Sequence, residues 1–253
     1  MALLNEMLAE LDRLLEPDSF ADHGPNGVQV QGCAEVTHVA TGVSATLELF
    51  ERAIGAGAQL ILTHHGLFWD GDDARVVGVL RDRLRLLLGA DVSLVAYHLP
   101  LDAHPVLGNN ALIAAGLGLE GRRPFAVHRG REIGVRATAP DAGITPAELV
   151  ARVAALTARQ PLALMHGPEL IRSIGIVSGG GARNVHDAIA AGLDAFITGE
   201  PAEWASALAG ESRIHFLAAG HHATETFGPR ALGEHLASRF GVAHTDIPIV
   251  NPV

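Results

Sequence analysis

The chain has 253 residues, 48% of them hydrophobic, which is enough for one or two globular domains and excludes a disordered chain. Its 18 basic and 28 acidic side chains give a net charge of −10, so neither a nucleic acid nor an anionic membrane is expected as the main partner. All 18 basic residues are arginines, which excludes a P-loop lysine and Schiff-base chemistry. The one cysteine, Cys33, excludes an intrachain disulfide and a cysteine-based zinc site.

The segment from Met1 to Glu16 carries leucine and methionine at helical spacing, with acidic residues on other faces, and predicts an amphipathic helix. This segment lacks the basic start and continuous apolar run of a signal peptide. No stretch reaches the roughly 18 consecutive apolar residues of a membrane-spanning helix. We therefore expect a cytoplasmic protein that does not enter a membrane.

Strand and helix signals alternate along the next part of the chain. Strand patterns fall at residues 36–43, 59–63 and 92–97, and helix patterns at residues 46–56, 76–88 and 109–115. A β-α-β-α-β order predicts a parallel or mixed sheet with helices on its faces.

The alternation continues after a candidate boundary, the segment GRRP at residues 121–124. We therefore predict a first α/β domain of residues 1–123 and a second α/β domain of residues 124–253. In the second domain, strand patterns fall at residues 133–137, 171–177, 194–198 and 214–218, and helix patterns at residues 145–158 and 185–191. Residues from about 214 onward are expected to return to the functional site.

A possible internal repeat links the two halves. Residues 53–63 align without gaps on residues 188–198, and five of the eleven pairs are identical. The preceding strands also match, with a slip of one residue. The match favours either a duplicated α/β unit or convergence on the same local structure in an alanine-rich chain. If the unit is duplicated, two histidines follow the strand in the first copy and Gly199-Glu200 follows it in the second.

Those two histidines, His64 and His65, lie in the segment THHGLFW at residues 63–69. Open α/β sheets bind ligands beyond the carboxyl ends of their strands, and neutral imidazole is the commonest transition-metal ligand. In a regular strand the two rings would point to opposite faces. They serve one ion only if the chain turns after Thr63, and otherwise each ring serves a different ion. A chance pair remains the alternative in a chain with 14 histidines.

The strand of residues 92–97 leads into His98 and Asp102, in the segment HLPLDAH. It would deliver a histidine and an aspartate to the same edge of the sheet. A carboxylate can bridge two cations through its two oxygens. The alternative is a loop in which Asp102 caps a turn or a helix.

The strand of residues 214–218 leads into GHHATE at residues 220–225. His221 and Glu225 are four residues apart, so on a helix they share a face and could meet one site. His222 would point elsewhere, either towards a substrate or towards a ligand that it supports from behind. This spacing is common by chance and is weak on its own.

Together the three strand ends supply three imidazoles and two carboxylates. Such a set suits two adjacent divalent ions, zinc, manganese or iron, with open positions for water. The predicted ligands are His64, His65, Asp102, His221 and Glu225. Other residues are predicted either to line the site or to be ordinary loop and strand groups; they are Glu200, Asn26, Gln29 and Gln31. The SGGG turn of residues 178–181 either cradles an anion with its backbone N–H groups or is a tight turn between a strand and a helix.

Four motifs in this order resemble the Nif-three-like dinuclear metal centre family, whose members are called GTP cyclohydrolase I type-two homologues. The motifs are NGVQVQG at residues 26–32, THHGLFW at 63–69, LDAH at 101–104 and GHHATE at 220–225, and the ending DIP at 246–248 also fits. The resemblance covers the chain from about residue 26 to its end. Gly66 departs from the pattern, because proline often follows the tandem histidines.

The resemblance implies two related α/β domains with mostly parallel or mixed sheets and a dinuclear metal site in the crevice between them. It implies a toroidal homohexamer whose sites face an internal cavity. The ligands that it implies are the five chosen above, namely His64, His65, Asp102, His221 and Glu225. His98 also matches a histidine of the family.

These observations predict a dinuclear metal-dependent hydrolase that acts on a small molecule, such as a nucleotide, through a metal-bound hydroxide. The resemblance implies GTP cyclohydrolase-like hydrolysis of a purine ring, although phosphoester or amide cleavage would use the same centre. The candidates for a catalytic acid or base are His98 and His222, and Arg122, Arg123 and Arg183 would attract an anionic substrate. The alternative is a metal-binding regulatory or assembly protein without turnover, because it would use the same ligands.

Overall fold

The computed structural model describes residues 1–140 and 143–253. Its strands are β1 (Ala2–Leu3), β2 (Gly27–Val30), β3 (Glu35–Val36), β4 (His38–Ser44), β5 (Leu60–His65), β6 (Ser93–Ala96), β7 (Glu120–His128), β8 (Arg131–Thr138), β9 (Leu162–Met165), β10 (Ser173–Val177), β11 (Ala195–Thr198), β12 (His215–Ala218) and β13 (Ala243–Asp246). Its helices are α1 (Leu4–Leu15), α2 (Leu47–Gly55), α3 (Gly78–Gly89), α4 (Leu99–Ala103), α5 (Asn109–Gly116), α6 (Pro146–Thr157), α7 (Val185–Ala190), α8 (Ala205–Ser212), α9 (His221–Thr224) and α10 (Phe227–Phe240). None of the helices in these two ranges is both long enough and apolar enough to span a membrane.

The chain forms two compact units. Unit 1 comprises Met1–Leu101 and Gly228–Val250, and unit 2 comprises Asp102–Phe227 and Asn251–Val253. Each unit has its own mixed sheet and its own hydrophobic core. The predicted α/β fold class with two units of mixed sheet is therefore confirmed.

The sheet of unit 1 has the order β13-β4-β5-β6-β2, with β2 antiparallel and the other neighbours parallel. Helix α2 begins after Thr46, whose hydroxyl accepts a hydrogen bond from Leu49 N at 3.2 Å. The helix buries Leu49 and Phe50 completely, and this core also takes in Ile61 of β5. Burial of each such side chain contributes roughly 1.5–3 kcal/mol, and it fixes which face of β5 points inward.

The sheet of unit 2 has the order β7-β8-β10-β11-β12-β9. Strands β10, β11 and β12 are parallel, and the flanking strands β8 and β9 run antiparallel to them. Helix α6 begins after Thr145, which caps it by accepting from Glu148 N at 3.2 Å, with Pro146 in the first turn. The core of this unit includes Leu149 of α6 and Ile176 of β10, both fully buried.

The segment GRRP at residues 121–124 lies inside strand β7 rather than in a linker. The pairing of β7 with β8 shifts register between Glu120 and Arg123, and Gly121 has a φ of +58°. Gly121 therefore lies at a β-bulge, where its left-handed backbone conformation is one that glycine adopts without strain. The chain passes from unit 1 to unit 2 after Leu101, which differs from the predicted boundary after residue 123 and places Asp102 in unit 2.

The aligned segments have the same backbone structure in both units. The turn after α2 contains Gly57, with a φ of +80°, and the turn after α7 contains the aligned Gly192, with a φ of +66°. Gly57 N donates to Ile54 O at 2.9 Å, and Gly192 N donates to Ile189 O at 3.0 Å. Both helices are thus followed by a glycine in the left-handed conformation.

The polar residue before each following strand is also equivalent. Gln59 Oε1 accepts from Thr37 N at 2.9 Å and from His38 N at 3.0 Å. Asp194, which aligns with Gln59, accepts through Oδ2 from Arg172 N at 2.8 Å and from Ser173 N at 2.9 Å. The positions and partners match although the side chains differ, which favours duplication over convergence.

Replacing Asp194 with Ala should lower the free energy of unfolding by about 1–2 kcal/mol, because two backbone N–H groups and the Ser173 hydroxyl lose their acceptor. Asp194→Asn keeps an acceptor oxygen and should cost less than half as much. Gln59→Ala should cost about as much as Asp194→Ala if the two positions are equivalent. Urea unfolding followed by circular dichroism measures these differences, and wild-type stability of Asp194→Ala would contradict the assignment.

Candidate metal centre

Strand β5 ends with His64 and His65. His64 is fully buried and His65 is half-buried, and their ring centroids lie 4.8 Å apart with planes tilted by 43°. The strand continues through both residues, and His65 still pairs with Ser44 of β4. The chain therefore does not turn after Thr63, as a single shared ion was predicted to require.

A third histidine, His98, lies beside this pair. It follows β6, and its ring centroid is 4.9 Å from that of His64 and 5.6 Å from that of His65. One ligand nitrogen from each of the three rings lies within 4.8 Å of the others, and such a group could hold a metal ion. The sequence predicted that His98 reaches this edge of the sheet, and it named His98 as a candidate acid or base rather than as a ligand.

Strands on either side of β5 orient its two histidines. His64 Nδ1 lies 3.0 Å from the backbone carbonyl of Tyr97, and His65 Nδ1 lies 3.1 Å from the hydroxyl of Ser44 at the end of β4. Such hydrogen bonds to the nitrogen that does not bind a metal fix the ring and its tautomer. Both contacts follow directly from the pairing of neighbouring parallel strands.

Asp22 orients His98 and was missed by the sequence analysis. Its Oδ1 lies 2.7 Å from His98 Nδ1, and its Oδ2 accepts from Asn26 Nδ2 at 2.9 Å. Burial alone would raise the pKa of this carboxyl, but the hydrogen bond and the charge of His98, together with Asn26 and the backbone N–H of His23, hold it well below its usual range. The only sequence signal is its position four residues before Asn26 of the NGVQVQG motif.

Two other residues of that region have structural roles. Gln29 Oε1 accepts from Leu67 N at 2.7 Å, which holds the chain just after the tandem histidines. A Cβ at position 66 would collide with the Gln29 side chain. The absence of a side chain at Gly66 therefore leaves the space that the amide of Gln29 occupies.

In unit 2, Asp102 is buried, with 6% of its surface exposed. Its Oδ1 accepts from Asn109 Nδ2 at 2.8 Å and from Ser178 Oγ at 3.1 Å. A carboxylate oxygen of Asp102 lies within 4.8 Å of one of Glu225. The carboxylate of Asp102 is therefore held by two side chains of the same unit. A residue that only capped a turn or a helix would instead accept from nearby backbone N–H groups.

His221 and Glu225 make the predicted contact across one helical turn. His221 Nε2 lies 3.2 Å from Glu225 Oε2, and its Nδ1 lies 2.6 Å from Glu200 Oε1. Burial lowers the pKa of His221, but the two carboxylates outweigh burial and raise it to about 9. Glu200 thus contributes to the site by orienting His221.

The glycine-rich turn after β10 makes room for these side chains. Gly179 has a φ of +59°, and a Cβ there would collide with Glu225 and approach His221 Nε2. Its carbonyl accepts from Gly199 N and Glu200 N, each at 3.0 Å. Ser178 therefore donates to the carboxylate of Asp102, and Gly179 leaves space for that of Glu225.

His222 lies next to His221 on α9, and its backbone N–H donates to Val253 O at 3.1 Å. Among the residues that the structure describes, it belongs to none of the groups of ligand atoms.

Each unit gathers histidine or acidic side chains, several of them buried, and their nitrogen and oxygen donors suit zinc, manganese or iron. Such side chains could bind a metal.

The raised pKa of His221 predicts a pH-dependent stability of the metal-free protein. The ion pair contributes fully below pH 6.5, the pKa of an unfolded histidine, and its contribution is lost as the pH rises through about 9. We expect the unfolding free energy after EDTA dialysis to fall by about 1–3 kcal/mol between pH 6 and pH 9.5. His221→Gln should flatten this slope in urea titrations and His38→Gln should keep it, whereas an unchanged slope in His221→Gln would refute the assignment.

Comparison with known proteins identifies the family of the chain. The sequence profile of the Duf34/NIF3 (NGG1p interacting factor 3) family matches residues 2–252. A Pseudomonas aeruginosa protein named GTP cyclohydrolase 1 type 2 homolog is 41% identical over 249 residues, 98% of each chain. The solved structures of protein ybgI and of TTHA1606 from Thermus thermophilus match all of this chain and all of their own, with TM-scores of 0.94 and 0.91 at 37% and 33% identity. The chain therefore belongs to the Duf34/NIF3 family.

Proposed function

We propose that the protein is a dinuclear metal-dependent hydrolase that acts on a small molecule such as a nucleotide. The observation that carries the proposal is the orientation of the candidate ligands by neighbouring acceptors and donors within each unit. The proposed ligands are His64 and His65 of unit 1 with Asp102, His221 and Glu225 of unit 2. They would hold two divalent ions, zinc, manganese or iron.

Two such ions, when bound, would lower the pKa of a coordinated water and polarise the electrophilic centre of the substrate. Other residues of the chain orient the proposed ligands. Asn109 and Ser178 hold one oxygen of Asp102, which sets the direction of its carboxylate. Glu200 holds Nδ1 of His221, so that its Nε2 is the nitrogen turned towards Glu225. His222, which lies outside the ligand groups of the described residues, is proposed for proton transfer.

An anionic substrate would have to approach a chain with a net charge of −10. Arg122 is tied to the backbone, because its Nη1 donates to Ala111 O at 3.1 Å. Arg123 and Arg183 are exposed, and we propose that they attract a phosphorylated substrate. The name of the Pseudomonas aeruginosa relative supports a nucleotide as the first substrate to test.

We also propose a toroidal homohexamer, as the family resemblance implies. Size-exclusion chromatography with light scattering should then give a mass close to six times that of one chain. A monomer or dimer at micromolar concentration would contradict this arrangement.

Elemental analysis of the purified protein should give close to two divalent ions per chain, and Asp102→Ala should lose most of this metal together with any turnover. Asp187→Ala is the matched control, because this half-buried carboxylate on α7 of unit 2 accepts from Asn184 Nδ2 and belongs to none of the ligand groups found among the described residues. Turnover is screened with GTP and other phosphorylated small molecules.

Three outcomes decide between the functions. Metal and turnover that are both lost in Asp102→Ala would establish the hydrolase. Two ions without turnover would favour a metal-binding regulatory or assembly protein. Wild-type metal content in Asp102→Ala would refute the ligand assignment.

A further inference from the structure

Arg159 lies at the edge of the unit 2 sheet where strand β12 ends. Strand β9 runs antiparallel to β12, and Leu162 at the start of β9 pairs with Ala218 at the end of β12. The residues just before β9 therefore lie beside the residues just after β12. Arg159 comes three residues before Leu162, and His221 comes three residues after Ala218. The register of the two strands thus brings Arg159 to the edge that carries His221.

The guanidinium of Arg159 packs against Gly220, the residue before His221. A Cβ on Gly220 would collide with Nη1 of Arg159 and would stand 2.9 Å from its Cζ. Gly220 also has a φ of +96°, which glycine adopts without strain. The absence of a side chain at Gly220 therefore leaves the space that the guanidinium occupies, directly beside a candidate ligand.

The turn after helix α6 holds the backbone of Arg159 in this place. The helix ends at Thr157, and Ala158 after it has a φ of +53°, which is strained for a residue other than glycine. The hydroxyl of Thr157 lies 2.8 Å from Val153 O and 3.3 Å from Arg159 O. The direction in which the chain leaves the helix is therefore fixed just before Arg159.

The charge of Arg159 has no partner among the residues that the structure describes. The side chain is half-buried, yet it donates no hydrogen bond and forms no ion pair to residues 1–140 or 143–253. Arg152, which is also half-buried in this unit, instead donates to Leu117 O at 2.9 Å and pairs with Glu148. Partial burial of an unpaired charge costs free energy, so a bound anion would stabilise Arg159.

The surroundings of His221 explain why an anionic substrate would need a cation here. Glu225 and Glu200 lie 3.2 Å and 2.6 Å from the ring nitrogens of His221, and their carboxylates would repel an anion. A guanidinium keeps its charge at every physiological pH and can donate two parallel N–H bonds to the oxygens of a phosphoryl or carboxylate group. Arg159 is the arginine whose guanidinium contacts the residue next to His221.

We propose that Arg159 binds the anionic group of the substrate, a phosphoryl or carboxylate group, and thereby positions the substrate beside His221. The inference deepens the proposed function, on which it rests for the substrate and for the role of His221. Arg123 and Arg183 are exposed and are proposed only to attract the substrate, whereas Arg159 would contact it.

The experiment titrates inorganic phosphate, and separately acetate, into the metal-free full chain in an isothermal titration calorimeter. Arg159→Gln should weaken binding of the preferred anion by about 10-fold or more, because charge-assisted hydrogen bonds are lost. Arg159→Lys keeps the charge without the planar fork and should recover part of the affinity. Preference for phosphate would identify a phosphoryl group as the substrate anion, and preference for acetate would identify a carboxylate.

Two further variants separate the charge of Arg159 from its packing and from net charge. Arg159→Met keeps an aliphatic stem against Gly220, so it should unfold at the wild-type urea concentration and still lose anion binding. Arg152→Gln is the matched control, because it removes the same charge from a half-buried arginine that already pairs with Glu148. Its anion affinity should equal that of the wild type.

Three results would overturn the inference. They are wild-type anion affinity in Arg159→Gln, an equal loss of affinity in Arg152→Gln, and a wild-type chain that binds neither anion at millimolar concentration. Each would show that the half-buried charge of Arg159 is not an anion site.

Asp102→Ala distinguishes this inference from the proposed function, because the anion titrations need neither metal nor turnover. If Asp102→Ala loses metal while Arg159→Gln binds the anion normally, the proposed function stands and the role of Arg159 is wrong. If Arg159→Gln loses the anion while Asp102→Ala retains all its metal, the anion site is correct and the dinuclear assignment is wrong.

Discussion

The register of the parallel strands determines where the candidate ligands lie. In unit 1, Thr63 of β5 pairs with Ala96 of β6, and the histidines begin directly after these positions. In unit 2, Thr198 of β11 pairs with Ala218 of β12, just before Glu200 and the helix that carries His221. A slip of one residue would turn every buried side chain of a strand to the opposite face. The apolar cores that hold the register therefore also hold the ligands, although none of the core residues has polar chemistry of its own.

The two aligned segments carry different chemistry at the ends of their strands. In the alignment of the two copies, Thr63 corresponds to Thr198, and both are fully buried. When the same alignment is extended past the strand, His65 corresponds to Glu200. The first segment thus has the imidazole of His65 where the second has the carboxylate of Glu200. That carboxylate orients His221, which lies on α9 after strand β12. A shared backbone with exchanged side chains explains why the sequence match is strong in the helix and weak at the strand end.

Local patterns predicted much of this arrangement, since periodicity and capping depend on neighbours in the chain. The order of the central strands and the helices between them, the histidines at the end of β5 and the contact between His221 and Glu225 all follow from short spacings along the chain. The role of Asp22 could not be predicted, because it meets His98 across 76 residues of chain and neither residue lies in a regular pattern. The bulge in β7 was also inaccessible, because Gly and Pro are used alike in linkers and in irregular strands.

The two ligand sets differ in charge, and this difference links metal binding to stability. In unit 1 the candidate ligands are imidazole rings, which carry no charge when neutral. The charge of the Asp22 carboxylate is stabilised by the backbone N–H groups of His23 and Leu99. In unit 2, carboxylate oxygens of Asp102 and Glu225 lie within 4.8 Å of each other, and Glu200 adds a third acid beside His221. Their mutual repulsion is offset in part by a proton on His221, whose pKa rises to about 9 for this reason. A divalent cation would take over that role, and because it needs the lone pair that the proton occupies, metal affinity must fall as the pH is lowered. Without a cation, the repulsion between Asp102, Glu225 and Glu200 lowers the stability of the fold. A bound cation would remove this repulsion, so its binding would stabilise the folded state.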